Sequence, residues 1–120
     1  MALRQPSQHR APLRVGLVGA GMISYHHLIA WYGAIGMGGV IHTINPRLFD
    51  EQLAYIANHA GDRVLFYDRA FAPLVERLKP RWTSIERYIC FDDGEFLDLL
   101  ARHDGAYAWV EGPEREPCML

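Results

Sequence analysis

The residues best placed for chemistry lie near the start, in Gly19-Ala20-Gly21-Met22-Ile23-Ser24. They follow an apolar run and open a helical pattern. A glycine turn of this kind lets the backbone approach a pyrophosphate, which then rests on the N–H groups of the helix N-terminus. Gly19 would permit the tight turn and Gly21 the close approach. Ser24, in place of a third glycine, is small enough for close helix–strand packing. A dinucleotide site also needs a carboxylate at the end of the next strand to hold a ribose hydroxyl. That strand ends Thr43-Ile44-Asn45-Pro46-Arg47, which has no acid; only Arg47 is available, toward the 2′-phosphate of NADP. Without a ligand, the same glycines simply make a tight β-to-α turn.

Other reactive side chains do not converge. His26 and His27 are adjacent, so on a helix their rings diverge by about 100°. His42 falls within a strand and His59 at a helix end, where a cation is favoured. Packing or capping is the expected role of each histidine. Asp92-Asp93-Gly94-Glu95 reads as a solvated turn leading into a helix. Cys90 and Cys118 lack metal-ligand spacing and are expected as reduced, buried thiols. No metal site and no Ser-His-Asp or Cys-His arrangement follows from the spacing.

The elements that would hold these residues alternate between two periods. Arg14 to Val18, Val40 to Ile44, Val64 to Tyr67 and Tyr88 to Phe91 are short apolar or β-branched runs, expected as strands. Between them lie helical patterns. Met22 to Ile35 places Ile23, His27, Ala30, Trp31 and Ala34 at helical spacing. Asp50 to Ala60 carries a stripe of Phe49, Leu53, Ile56 and Ala60. A third helix with Asp68 as N-cap aligns Phe71, Leu74, Val75 and Leu78, and Pro80 ends it. Phe96, Leu97, Leu99 and Leu100 mark a fourth. Strands alternating with helices predict an α/β fold, a three-layer parallel sheet of β-α repeats. Residues 1–12 are expected as a flexible tail, 13–110 as the α/β unit, and 111–120 as a charged loop and the start of another strand. Tyr107 and Trp109 are expected over an open sheet edge.

The chain has 120 residues, half of them apolar, and a formal net charge of -2. It is globular in composition and carries no basic excess for nucleic acid. The first residues lack the apolar core of a signal peptide, and four glycines and His42 break up the stretch Leu28 to Ile44. A cytoplasmic protein without a transmembrane segment is expected.

Two resemblances overlap along the chain. Leu13 to Trp31, LRVGLVGAGMISYHHLIAW, resembles the N-terminus of nicotinamide-dependent oxidoreductases of the glucose–fructose oxidoreductase and inositol dehydrogenase family. Ala30 to Asp68 is similar to the N-terminal domain of medium- and long-chain fatty acyl-CoA synthetases, which are adenylate-forming ligases. The matching blocks include Tyr32-Gly33-Ala34, Gly36-Met37-Gly38, His42-Thr43-Ile44-Asn45-Pro46-Arg47-Leu48 and Asp62-Arg63-Val64-Leu65-Phe66. Later blocks at Phe71, Pro73-Leu74 and Tyr88 continue this similarity over most of the chain.

The second resemblance implies an ATP-dependent parent that adenylates a carboxylate and passes the acyl group to coenzyme A, with Mg²⁺ offsetting charge. Its phosphate loop, rich in Ser, Thr and Gly and ending in Lys, would follow Pro117 to Leu120. The chain is thus expected to be an incomplete piece of a larger N-terminal domain. It would carry no catalytic residue, bind no ATP and be inactive alone, with the rest of the synthetase or a second copy as partner. The alternatives are a small NAD(P)-binding Rossmann-like module on Gly19, Gly21 and Ser24, or a ligand-free, self-associating structural domain. The overlap near His27 to Trp31 also suggests a chimera: an oxidoreductase-like first βα unit joined to a synthetase-like remainder.

Overall fold

The computed structural model describes residues 12–18 and 25–120. The loop of Gly19, Gly21 and Ser24 lies outside them, as does the expected N-terminal tail apart from residue 12. The first strand, β1, is Arg14–Val18, and α1 is Tyr25–Gly36. β2 (Val40–Ile44), α2 (Asp50–Ala60) and β3 (Val64–Tyr67) fall where the patterns place them. The chain then tightens into a 3₁₀ turn, Arg69–Phe71, before α3, Ala72–Leu78, and a second 3₁₀ turn, Lys79–Arg81. β4 is Arg87–Cys90, one residue earlier than expected, and α4 is Glu95–Ala101.

All four strands are parallel, in the order β2-β1-β3-β4. Side chains alternate between the two faces of the sheet. Val18, Leu65 and Cys90 meet Leu53, Ala57, Val75 and Leu78, so α2 and α3 cover one face. Leu17, Ile89 and Phe91 meet Ala30 and Phe96, so α1 and α4 cover the other. This is the three-layer α/β architecture.

Some expectations are corrected in detail. Phe49 does not join the buried stripe of α2. It occupies the N-cap position and is exposed, while Leu53, Ala54 and Ala57 are buried. Lacking a side-chain acceptor, Phe49 forms half of a capping box: its N–H donates to Gln52 Oε1 at 3.2 Å. Asp68 precedes the first 3₁₀ turn but makes no side-chain capping bond. α3 ends at Leu78, as expected from Pro80, which sits in the second 3₁₀ turn that follows. Gly61 ends α2 with φ +73°, a conformation that favours glycine.

The terminal segment runs back across the α1–β2 corner. Val110 N–H donates to Gly36 O at 2.9 Å, and a Cβ at Gly36 would overlap the Trp109 ring. Trp109 therefore covers the end of α1, not a sheet edge. The edge of β2 is met further on. Ile41 N–H donates to Cys118 O at 2.9 Å, and Leu120 N–H donates to Ile41 O at 2.8 Å. Met119 thus forms an isolated parallel bridge to Ile41. Cys118, expected to be buried, is exposed there; Cys90 is buried.

Candidate functional site

In an open parallel sheet, ligands favour the carboxyl ends of the strands where the chain reverses its direction of winding. Here that point lies between β1 and β3, which are neighbours although β2 intervenes in sequence. β1 leads directly into the residues outside the described set, so the described wall is the end of β3 and what surrounds it. Asp68 follows β3, and its Oδ2 lies 3.1 Å from Nε2 of His27, a buried residue of α1. The His27 ring is also 4.7 Å from the Phe91 ring. The adjacent His26 ring lies 5.5 Å edge-on to Phe96.

Arg69 closes the same end of the sheet. Its backbone N–H donates to Asp92 Oδ2 at 2.7 Å. Its guanidinium donates to Asp93 Oδ1 at 3.0 and 2.6 Å and to Asp92 O at 2.9 Å. The Arg69 hydrogen bond holds the Asp93 carboxyl below its usual range, and Asp93 in turn pushes the guanidinium up. The acidic turn at residues 92–93 therefore ties β4 to β3 through Arg69. Burial pushes the Cys90 thiol up, which opposes nucleophilic use of it.

A second pair, missed in the sequence, lies under α2. His42 Nδ1 and Asp62 Oδ2 are 2.7 Å apart, and Asp62 is fully buried. Gly16 makes the room. It stands opposite His42 in the sheet register, and a Cβ there would lie 3.2 Å from Asp62 Oδ2 and 2.9 Å from Leu65 Cδ1. Asp62 Oδ1 has no hydrogen-bond partner among the described residues. The signal available in the sequence was a glycine in register with a strand histidine. His59, at the end of α2, stacks on Tyr55 at 5.2 Å.

Among the described residues, no group of three or more His, Cys, Asp or Glu side chains is arranged to hold a metal ion. Three arginines are engaged by acids: Arg69 by Asp93, Arg63 by Glu86 and Arg77 by Asp50. The described residues form a platform, four parallel strands between two helical layers.

Residues 14–118 match the family model described as AMP-binding enzyme. The chain belongs to that family. It is 49% identical over 106 residues to 3-methylmercaptopropionyl-CoA ligase of Ruegeria pomeroyi, covering 78% of this chain and 20% of that protein. It is 40% identical to long-chain-fatty-acid–CoA ligase of Thermus thermophilus, covering 82% of this chain and 19% of that one. Among solved structures, the anthranilate CoA ligase AuaEII superposes with a TM-score of 0.79 at 21% identity, over 90% of this chain and 21% of its own. The N-terminal domain of FACL13 from Mycobacterium tuberculosis gives 0.77 at 21% identity, over 90% of this chain and 27% of its own. These two show the fold. The chain spans about a fifth of the length of the curated relatives it matches.

The family match begins at Arg14 and runs through the glycine loop into the last residues. One family therefore accounts for both parts of the apparent chimera, and the dinucleotide-module reading is not favoured. No helix among the described residues is long and apolar enough to cross a membrane.

Proposed function

We propose that this chain is the N-terminal part of an ATP-dependent acyl-CoA ligase. In that reaction a carboxylate is adenylated with loss of pyrophosphate, and the acyl group then passes to the thiol of coenzyme A. The observation that carries the reading is the family match over 14–118 to relatives that are CoA ligases and about five times as long. ATP, Mg²⁺ and coenzyme A belong to the longer polypeptide. The chain itself supplies scaffold: four parallel strands, with Met119 bridged to Ile41 on β2. On this reading residues 13–110 are the α/β unit, 111–120 lead into the next strand, and the setting is cytoplasmic. The partner is the rest of the synthetase, or a second copy where the chain stands alone.

The coding sequence beyond Leu120 tests this. A frame that continues into a Ser/Thr/Gly-rich loop ending in Lys supports it. A frame that continues into unrelated sequence overturns it. The isolated chain should show no carboxylate-dependent exchange of pyrophosphate into ATP. Exchange by the pure chain would place catalytic residues where the platform reading puts none.

A further inference from the structure

The last stretch of the chain is held differently from the strands and helices before it. Every residue from 102 to 120 is exposed, whereas Val40, Ile41 and Ile44 of the strand it meets are buried. None of the ion pairs among the described residues reaches it, although it carries Glu111, Glu114, Arg115 and Glu116. It leaves α4 through a turn at Gly105, whose φ is +79°.

The segment then meets the body at two places. The first is a seat at the end of α1. Val110 N–H donates to Gly36 O at 2.9 Å, and the Trp109 ring lies where a Cβ of Gly36 would be. Tyr107 braces that ring edge-on at 5.7 Å. The second is a latch on β2, where Cys118 O and Leu120 N–H take both backbone groups of Ile41. Between seat and latch the segment does not pack down. It spans a hollow lined by Ile35, Gly39, Pro113 and Cys118. Neighbouring amides of β2 report on different sides. Val40 N–H donates inward to Leu13 O at 2.8 Å, while Ile41 N–H donates outward to the segment.

We propose that residues 106–120 form a strap that opens and closes as a unit of its own, hinged at Gly105, seated by Trp109 on Gly36 and latched over the edge of β2. A strand edge presents unpaired N–H and C=O groups, and covering it with a loop is one way a fold protects it. The strap does this without joining the core. Its three backbone hydrogen bonds to the body and one ring on a glycine bury little. A segment with few buried contacts opens at a lower free energy than the core. The seat controls closure, because Trp109 adds apolar contact that the backbone latch lacks. The proposal does not depend on the ligase reading; it concerns only how this segment is held.

The test is native-state amide hydrogen exchange of the full chain, read residue by residue by NMR. Ile41 and Leu120 should exchange together, at least about a hundredfold faster than Val40 on the same strand, yet more slowly than free amides. Gly36→Ala places a methyl group in the space of the Trp109 ring, and the atoms it would meet first all belong to that ring. It should speed exchange at Ile41 and Leu120 at least about tenfold while Val40 keeps its rate. Trp109→Ser should do the same. Adding it to Gly36→Ala should change little further, because both substitutions empty one seat. Ile41 exchanging as slowly as Val40 overturns the proposal, since the strap would then belong to the core. An Ile41 amide with no protection overturns it as well, as does one whose protection ignores both substitutions.

Discussion

The two helical layers of this chain are built from different kinds of sequence. The α2/α3 layer is charged outside and fastened inside. Asp50 and Glu51 open α2 where the helix dipole favours anions, and Arg77 of α3 reaches back to Asp50 at 2.7 Å. Trp82 is buried, and its Nε1–H donates to Leu53 O at 3.0 Å. Asn58 holds the chain after α3 by donating to Arg81 O and accepting from Thr83 N–H, at 2.9 Å each. On the α1/α4 layer, α1 is fastened through one histidine, His27, whose Nε2 lies 3.1 Å from Asp68 Oδ2. That helix has no acid in its first turn, no base in its last and an exposed tyrosine stripe. One layer is finished against water, while the other retains the composition of a helix meant to be covered. Membership of a family whose curated relatives are five times longer fits that difference.

The largest effect should come from the finished layer. Trp82→Ala removes a buried ring and its bond to α2, and should lower stability by about 3–5 kcal/mol in urea unfolding. Tyr32→Ser, on bare α1, should change the stability of the monomer by no more than about 0.5 kcal/mol. Similar losses from the two would erase the distinction between the layers.

A smaller effect belongs to the buried pair beneath α2. His42→Ala leaves Asp62 fully buried without the imidazole, and should cost about 2–3 kcal/mol. Adding Asp62→Ala to His42→Ala should cost less than Asp62→Ala alone, because the two side chains satisfy one another. Strict additivity in the double-mutant cycle would mean that the 2.7 Å contact is incidental.

These residues also show where sequence reading succeeds and where it stops. β2, α2 and β3 were legible because their signals are local: a β-branched run before Asn45-Pro46, acids opening a helix and Gly61 closing it. The 3₁₀ start of the third helix was not. Its first residue, Arg69, is held by Asp92 and Asp93, on a turn far along the chain that only the folded sheet brings near. The same holds for Asp68, a reasonable cap by spacing, whose carboxylate instead faces His27 on another element. The His42–Asp62 pair joins two strand regions and needs the gap at Gly16, so no single window of sequence displays it. Family membership was legible because it rests on many short blocks in order. The glycine loop is a single local motif whose expected acidic partner is missing at the end of β2, and it lies outside the described residues.

The smallest expected effect is the one acid produces through the exposed ion pairs. Hydrogen bonds from Arg77, Arg63 and Arg69 hold the carboxyls of Asp50, Glu86 and Asp93 below their usual ranges in the folded chain. A carboxyl lowered by folding contributes stability above its unfolded pKa, and that contribution disappears as pH falls through the folded value. Melting temperature should therefore decline from about pH 5 downward. The slope should be shallow, because all three pairs are exposed and solvent screens them. Asp50→Asn should flatten part of the decline by removing one titrating pair from the α2/α3 layer. Tyr25→Ser on α1 should leave the decline unchanged, because that helix carries no carboxylate or guanidinium. If the α1 substitution altered the acid limb as much as Asp50→Asn, charge would not be what separates the layers, and apolar cover alone would have to account for the difference.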